Sequence, residues 1–349
     1  MITPDDTLII FDEIQESLHA LESLKRFSEE APEYHLIAAG SLLGVALHSH
    51  VSFPVGKVDI MSLYPMSYRE FLAAMGENAL LHALNDGDFN IINAFHDKYL
   101  FLLKQYYYVG GMPEVVQYFS ETKDFKAIRD IQNSLLAQYR DDLGKHVTSF
   151  MLARMGMVWE SIPMQLAKEN KKFFFGQIQK GARSADFEES IQWLLDCGLI
   201  YKVHRINEPY VPLSFYKEFN TYKLFLLDVG LLSAMSGIDA MTLLEGNALF
   251  VEFKGALTEQ FVLQQLISDT QYIPFYFGTK QATFEMDFMI QKDKAIVPIE
   301  VKSSTNLRSQ SLKAFCDKYR PPVAIKFSSL PWVKQVFITN MPLYSVCLL

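Results

Sequence analysis

The sequence predicts a multidomain α/β protein, and three regional patterns support this prediction. Residues 7–75 alternate short apolar segments with helical ones, which is typical of a mostly parallel sheet. Residues 76–150 keep apolar and aromatic side chains at helical spacing. Residues 246–349 begin with a helix, at Leu257–Ser268, and continue with strands. At 349 residues the chain is long enough for two or three domains.

The N-terminal block, residues 1–75, has a regular order of predicted elements. The predicted strands and helices are, in chain order, Leu8–Phe11, Ser17–Glu30, His35–Ala39, Leu42–His48, Val58–Leu63 and Ser67–Met75. Further along, Gly110-Gly111-Met112-Pro113 predicts a sharp break between helices. The segment from Ala153 to about Val211 predicts three helices and a short hairpin that closes on Pro209, an order typical of a winged helix.

Composition and charge limit the function classes. The net charge of −8 argues against broad electrostatic capture of nucleic acid, although a local basic patch stays open. Cys197, Cys316 and Cys347 are widely spaced and show no zinc or disulfide pattern, which fits a reducing compartment. No signal pattern and no apolar run of about 20 residues is visible. We therefore expect a cytoplasmic protein without membrane association.

The stretch TLIIFDEIQE carries an acidic pair at the end of a predicted buried strand. In P-loop ATPases an acidic residue at this place holds Mg²⁺, and its neighbour polarises the attacking water. Asp12 and Glu13 match these two roles, and Ser41, after the next strand, matches a sensor of the γ-phosphate. The alternative is that the acids only cap the following helix.

The phosphate-binding loop of such a site has the pattern G-x-x-x-x-G-K-[ST]. Gly56-Lys57 and Gly144-Lys145 are the Gly-Lys pairs of this sequence, and neither completes the pattern. We therefore expect little or no ATP hydrolysis by this chain alone, and ATP binding only through an incomplete site.

The stretch TFEMDFMIQKDKAIVPIEVKSS predicts a hairpin with Asp293-Lys294 as its turn. With this turn, residues whose numbers sum to 587 would lie opposite each other, so Asp287 would face Glu300. A different two-residue turn would shift the partner by two but would keep both acids on the same face. The predicted polar face carries Glu285, Asp287, Glu300 and Lys302. The predicted core face carries Phe284, Met286, Phe288, Ile290, Val297, Ile299 and Val301.

Acidic side chains that face each other across two strands repel, so this cluster needs a compensating charge. Mg²⁺ is one such charge, and Lys302 could then orient water or stabilise developing negative charge. The alternative is a solvated hairpin face on which Lys302 pairs with the acids.

Several blocks of the sequence resemble a family of bacterial and archaeal AAA-type ATPases. The similar blocks are LIIFDEIQ, AAGSLL, LYPMSYREFL, YYYVGGMPEVV and YKLFLLDVGLL. The resemblance implies a partial AAA-type core over residues 1–75, a helical lid over 76–150, a winged-helix-like module over 151–245 and a nuclease-like domain over 246–349. In that family a phosphate loop normally precedes the acidic pair by some tens of residues. We therefore expect a truncated gene product or a mis-assigned start.

The C-terminal hairpin resembles the PD-(D/E)XK nuclease motif, with Asp287 followed by Glu300-Val301-Lys302. Glu259, on the preceding helix, matches the acidic helix residue of that fold. The resemblance implies that Glu259, Asp287 and Glu300 bind Mg²⁺ and that Lys302 is catalytic. Inactive nuclease-like folds retain part of the same pattern.

A winged helix implies DNA contact through its recognition helix. The candidate helix carries Asp186, Glu188, Glu189 and Asp196, which would repel phosphates. Basic residues before it could touch a DNA backbone, although a protein-contact or spacer role is equally open. These candidates are Lys168, Lys171, Lys172, Lys180 and Arg183.

Three functions remain open from the sequence. The first is an ATP-binding AAA-family protein associated with nucleic acid, and the second is a Mg²⁺-dependent DNA nuclease. The third is an interaction scaffold with protein partners or self-association. We also expect Tyr106-Tyr107-Tyr108 to pack in a core and Asp228 to cap or pair locally.

Overall fold

The structure is a computed structural model that describes residues 3–40, 56–168, 171–245, 251–278, 285–303, 309–334 and 337–349. Mixed helices and sheets confirm the predicted α/β class. In these ranges no helix has both the length and the apolar character that crossing a membrane requires.

The N-terminal segment forms a two-stranded parallel sheet. Strands β1 (Leu8–Phe11) and β2 (His35–Ala38) pair from Leu8 opposite His35 onward, and helix α1 (Leu18–Glu30) connects them. The Ser17 side chain accepts the Ala20 N–H and so caps α1. This confirms the first three predicted elements, whereas the helix expected at Leu42–His48 lies outside the described residues.

The strand expected at Val58–Leu63 is wrong. The structure has no strand there, and the side chains of Met61 and Leu63 are more than nine-tenths exposed. In the described part of the chain β1 and β2 pair with each other, and residues 58–63 do not join their ladder.

The region from residue 68 to 166 is helical, as predicted. Its helices are α2 (Tyr68–Ala74), α3 (Asn78–Asp86), α4 (Phe89–Ala94), α5 (His96–Val109), α6 (Pro113–Thr122), α7 (Phe125–His146) and α8 (Ser149–Leu166). The expected break falls at Gly110, whose φ is 77°, and Pro113 opens α6. Tyr106, Tyr107 and Tyr108 are buried in the core, which confirms their predicted role.

The hairpin of the middle region is longer than expected. Helix α9 (Ser184–Asp196) leads into β3 (Ile200–Ile206), which pairs antiparallel with β4 (Lys217–Leu226). The expectation that the hairpin closes on Pro209 is wrong, because residues 207–216, with a 3-10 turn at Leu213–Tyr216, connect the two strands. Strand β3 also pairs with β5 (Phe275–Gly278), so the hairpin belongs to the C-terminal sheet.

The C-terminal sheet has eight strands in the order β4-β3-β5-β6-β7-β8-β10-β9. The remaining helices and strands are α10 (Val229–Met235), α11 (Ala240–Glu245), α12 (Val251–Asp269), β6 (Glu285–Lys292), β7 (Ala295–Val301), α13 (Gln310–Tyr319), β8 (Ala324–Ser328), β9 (Val333–Lys334) and β10 (Ile338–Pro342). Apolar side chains of α12 and α13 belong to two separate core clusters, which indicates that they cover opposite faces of the sheet.

Helix α12 joins the helical region to the sheet through three glutamines. The Gln260 side chain bonds both backbone groups of Leu226, at 3.0 and 2.6 Å. Gln264 Oε1 accepts the Val229 N–H at 2.9 Å, and Gln265 Oε1 accepts the Tyr68 N–H at 2.7 Å. All three side chains are buried, so these bonds fix the helix between the two parts of the core.

Candidate functional sites

The N-terminal acidic pair lies where strand β1 ends. Asp12 and Glu13 are both exposed, and Glu13 adopts a left-handed conformation with φ 47°. The Asp12 side chain accepts the Glu13 N–H at 3.1 Å. The next residue, Ile14, donates its N–H to Ala39 at the end of β2 at 3.0 Å. The turn that carries the two carboxylates is therefore fixed beside the carboxyl end of the neighbouring strand.

This geometry fits the chemistry of a Mg²⁺–nucleotide site. Mg²⁺ prefers carboxylate oxygens together with water and phosphate oxygens, and exposed carboxylates at a strand end leave room for both. Asp12 would hold the ion, which would offset phosphate charge. Ser41, the predicted phosphate sensor, lies outside the described residues.

The register of the C-terminal hairpin is the predicted one. Phe288 lies opposite Ile299 and Lys292 opposite Ala295, so the numbers of paired residues sum to 587. The last pair in this ladder is Phe288 with Ile299. Beyond it the Asp287 carboxylate accepts the Val301 N–H at 2.7 Å and replaces a backbone carbonyl of the ladder.

The expectation that Met286 shares the core face of Phe288 is wrong, although both side chains are buried. Phe275 lies opposite Met289 but Phe277 lies opposite Met286, so β6 contains one extra residue at this point. Such a bulge reverses the faces of the residues that precede it. Met286 therefore packs in the cluster on the α13 side, whereas Phe288 stays in the core on the α12 side. Phe284 lies outside the described residues.

The same bulge places Asp287 against Glu259 of α12. Burial, and then the negative charge of Glu259, raise the pKa of Asp287 to about 7. Burial alone would raise the pKa of Glu259, but Lys171 and Lys223 outweigh it and lower that pKa, and a hydrogen bond with Asp287 adds to the effect. The two carboxyl groups therefore share a proton near neutral pH, with Glu259 as the ionised partner.

Two lysines compensate the charge of this cluster. Lys171 forms an ion pair with Glu259 Oε1. Lys223 is 1% exposed, and its Nζ lies 2.7 Å from Glu285 and 3.9 Å from Glu259 Oε2. Burial would lower the pKa of Lys223, but Glu285, Glu259 and Asp287 outweigh it and raise that pKa above its ordinary value. Lys223 is therefore a permanent cation between the acids.

Lys302 pairs with a fourth acidic residue of this cluster, Glu300. Its Nζ lies 3.0 Å from Glu300. Burial would lower the pKa of Lys302, whereas the charges of Glu300, Asp287 and Glu259 outweigh it and raise that pKa. The three acidic residues predicted from the nuclease-like motif therefore all act on the Lys302 ammonium group.

Two carboxylate oxygens of this cluster are candidate metal donors. Glu259 Oε2 and Glu300 Oε2 are both buried without a hydrogen-bond partner, which is costly for a charged group. A divalent cation is one partner that would satisfy them. In the part of the chain that the structure describes, however, no three or more His, Cys, Asp or Glu side chains are close enough to hold a metal ion. The donor chemistry fits Mg²⁺, but the acids are paired with lysines.

The predicted DNA contacts differ in their exposure. Lys168, Lys180 and Arg183 are exposed, and Lys172 is partly buried with its ammonium 5.6 Å from the Phe174 ring centre. The Lys171 ammonium forms an ion pair with Glu259, and its side chain is partly buried.

Sequence patterns missed Lys223, although a signal for it existed. The stretch TYKLFLL places a lysine inside an apolar strand, where a buried amine needs acidic partners. The partners lie on α12 and β6, and their proximity follows only from the sheet order. The local role expected for Asp228 is confirmed, since it caps α10 by accepting the Leu231 N–H at 3.0 Å.

Three family models match separate parts of the chain. Residues 1–72 match the family model of an AAA domain. Residues 100–242 match a domain of unknown function, DUF8612, and residues 254–342 match another, DUF4143. No curated protein and no solved structure matches the chain. The AAA-domain match covers the segment that contains β1, α1 and β2.

Proposed function

We propose that this chain is an ATP-binding AAA-family protein associated with nucleic acid, and that Asp12 and Glu13 form the Mg²⁺ and water side of its ATP site. The observation that carries the proposal is the placement of both carboxylates. They are exposed on a turn that the bond from Ile14 to Ala39 fixes beside the end of β2. The AAA-domain match covers this same turn.

The two carboxylates have different roles in this proposal. Asp12 holds Mg²⁺ and Glu13 orients a water molecule, while Ser41 contacts the terminal phosphate. A phosphate loop of the pattern G-x-x-x-x-G-K-[ST] is missing from the sequence, so we expect ATP binding to be weak and hydrolysis to be slow.

Calorimetric titration of ATP into the full chain, with and without Mg²⁺, tests the proposal. We expect a heat that requires Mg²⁺ and disappears in Asp12→Asn. The matched control is Asp5→Asn, which changes an exposed aspartate shortly before β1. An ATP-binding heat that is the same with and without Mg²⁺ would refute the role of Asp12. An equal loss of this heat in Asp12→Asn and Asp5→Asn would refute it too.

A second candidate function is Mg²⁺-dependent cleavage of DNA at the C-terminal cluster. The specific observation in its favour is that Glu259 Oε2 and Glu300 Oε2 are buried without hydrogen-bond partners near Lys302. Carboxylates of this kind hold the metal ions that activate water in phosphoryl transfer. The ion pairs of Lys171 and Lys223 argue for a charge-balanced cluster that needs no metal.

A cleavage assay with single-stranded and plasmid DNA, in the presence of Mn²⁺ or Mg²⁺, decides between these interpretations. A nuclease should lose activity in Glu259→Gln and Glu300→Gln but retain most of it in Glu285→Gln. Glu285 is the control because it pairs with Lys223 and is not among the proposed donors. Absence of metal-dependent cleavage by the wild type would remove this candidate.

A further inference from the structure

A buried lysine lies inside the C-terminal acidic cluster. Lys223 is on β4 and is 1% exposed. Its ammonium lies 2.7 Å from Glu285 Oε1 on β6 and 3.9 Å from Glu259 Oε2 on α12. The ring centre of Tyr276, on β5, lies 4.7 Å from the same ammonium. One ammonium group therefore connects acidic side chains that come from a helix and from a strand.

We propose that the Lys223 ammonium takes the place of a divalent cation in this cluster, and that its removal opens a binding site for Mn²⁺ or Mg²⁺. The inference goes beyond the proposed ATP site and does not depend on it. It opposes metal-dependent cleavage at the cluster by the wild-type chain, because the position of the metal ion is already filled.

The two carboxylate oxygens of Glu259 face different lysines. Oε1 forms an ion pair with Lys171, and Oε2 lies 3.9 Å from the Lys223 ammonium. That distance is too long for a hydrogen bond, although the charges still attract each other. Oε2 is buried and has no hydrogen-bond partner. A metal ion in place of the ammonium would give this oxygen the direct partner that it lacks.

The spacing around Lys223 fits an ammonium group rather than a metal ion. The 2.7 Å between its Nζ and Glu285 is the length of a charge-assisted hydrogen bond, whereas Mg²⁺ lies about 2.1 Å from its oxygens. Two cations within one buried site repel strongly, so the Lys223 ammonium and a metal ion exclude each other. This agrees with the lack of a metal-holding group of acids among the described residues.

The formal charge of the cluster explains why a metal ion would enter once the ammonium is removed. With every side chain ionised, four acids and three lysines give a formal charge of −1; they are Glu259, Glu285, Asp287, Glu300, Lys171, Lys223 and Lys302. Without Lys223 the formal charge becomes −2, which a divalent cation neutralises. The acids of α12, β6 and β7 supply the hard oxygen donors that such an ion prefers.

Mn²⁺ binding to the full chain, followed by the loss of the free-ion signal in electron paramagnetic resonance, tests the proposal. Every protein in the test, including the parent, carries Asp12→Asn, so that the proposed N-terminal site does not contribute. We expect Lys223→Ala to bind one Mn²⁺ more than the parent, and Lys223→Ala/Glu259→Gln to lose that ion. Mn²⁺ should also raise the melting temperature of Lys223→Ala but not that of the parent, because the ion binds only the folded variant.

The matched control is Lys217→Ala, which removes another lysine of β4. The Lys217 ammonium lies 4.6 Å from the ring centre of the exposed Phe219, so this variant should bind Mn²⁺ like the parent. A second variant, Lys223→Ala/Glu285→Gln, protects the test against loss of the fold. It removes an acid together with the lysine, so the formal charge stays at −1, and it should also bind the additional Mn²⁺.

Circular dichroism shows which variants are folded, and three results would overturn the proposal. The first is a folded Lys223→Ala or Lys223→Ala/Glu285→Gln that binds no more Mn²⁺ than the parent or the Lys217→Ala control. The second is failure of both variants to fold even with excess Mn²⁺, since the ion would then not replace the ammonium. The third is an ion that the parent binds and that Glu259→Gln abolishes, which would favour the nuclease instead. None of these results affects the ATP titration, which tests the N-terminal site separately.

Discussion

The buried carboxylate of Asp228 accepts the backbone N–H of Gly111 at 2.7 Å, across 117 residues of sequence. The same carboxylate caps α10 through Leu231 and accepts a bond from Gln264 at 3.1 Å. Burial raises the pKa of Asp228, although these bonds oppose that effect. Asp228 therefore connects the break between α5 and α6, the start of α10 and the central helix α12.

Replacing Asp228 by alanine should cost about 2–4 kcal/mol of unfolding free energy, because buried donors lose their acceptor. Urea denaturation followed by circular dichroism measures this. Asp239→Ala is the control, since Asp239 is an exposed residue that accepts the Thr242 N–H. Its loss should cost about 1 kcal/mol. Equal costs for the two variants would show that Asp228 is only a helix cap.

Gly111→Ala should destabilise the protein by about 2 kcal/mol or more. A Cβ at Gly111 would lie 2.2 Å from the Met66 carbonyl oxygen, so the backbone would have to shift. Gly176→Ala is the control, because a Cβ there meets no atom within 4 Å. A thermal melt of both variants checks this, and a Gly111→Ala protein as stable as the control would contradict the close approach.

Lys223→Met should destabilise the protein by about 3–5 kcal/mol, because it leaves Glu259 and Glu285 without their buried cation. Adding Glu285→Gln to Lys223→Met should recover part of the loss. Chemical denaturation of both single variants and the double variant gives the coupling energy. Additive costs would contradict a direct interaction between Lys223 and Glu285.

Asp287→Asn should change how stability depends on pH. The pKa of Asp287 is raised from 3.8 to about 7, so the folded state holds a proton that the unfolded state releases. This stabilises the wild type fully below about pH 4 and is lost as the pH rises to about 7, by at most about 1.4 kcal/mol per pH unit. The variant should therefore gain on the wild type between pH 4 and 7 in denaturant titrations. Parallel curves would mean that Asp287 is ionised throughout.

Local patterns predicted much of the fold. Apolar spacing and turn residues that lie within a few positions of each other predict the first two strands and the helical region. They also predict the register of the β6–β7 hairpin, in which the numbers of paired residues sum to 587. Strand β4 was not predicted as the partner of β3, because the two strands are separated by a long connection, residues 207–216. The bulge beside Asp287 was missed because it arises from the pairing of β6 with β5, which no local pattern contains.

In the candidate sites, too, local patterns predicted some residues and missed those that depend on long-range pairing. Glu259, Asp287 and Lys302 were found because a motif places them, and the structure brings them together. Lys223, and the ion pair of Lys171, follow from the sheet order and the position of α12, so spacing along the chain could not identify them.

In the proposed nucleotide site, Asp12 binds the metal ion of the nucleotide complex. Electron paramagnetic resonance of Mn²⁺ with ATP detects this contact, on wild type and on Asp12→Asn, since Mn²⁺ takes the same oxygen donors as Mg²⁺. We predict a spectrum of protein-bound Mn²⁺–ATP for the wild type and that of free Mn²⁺–ATP for the variant. Identical spectra for the two proteins would contradict the claim.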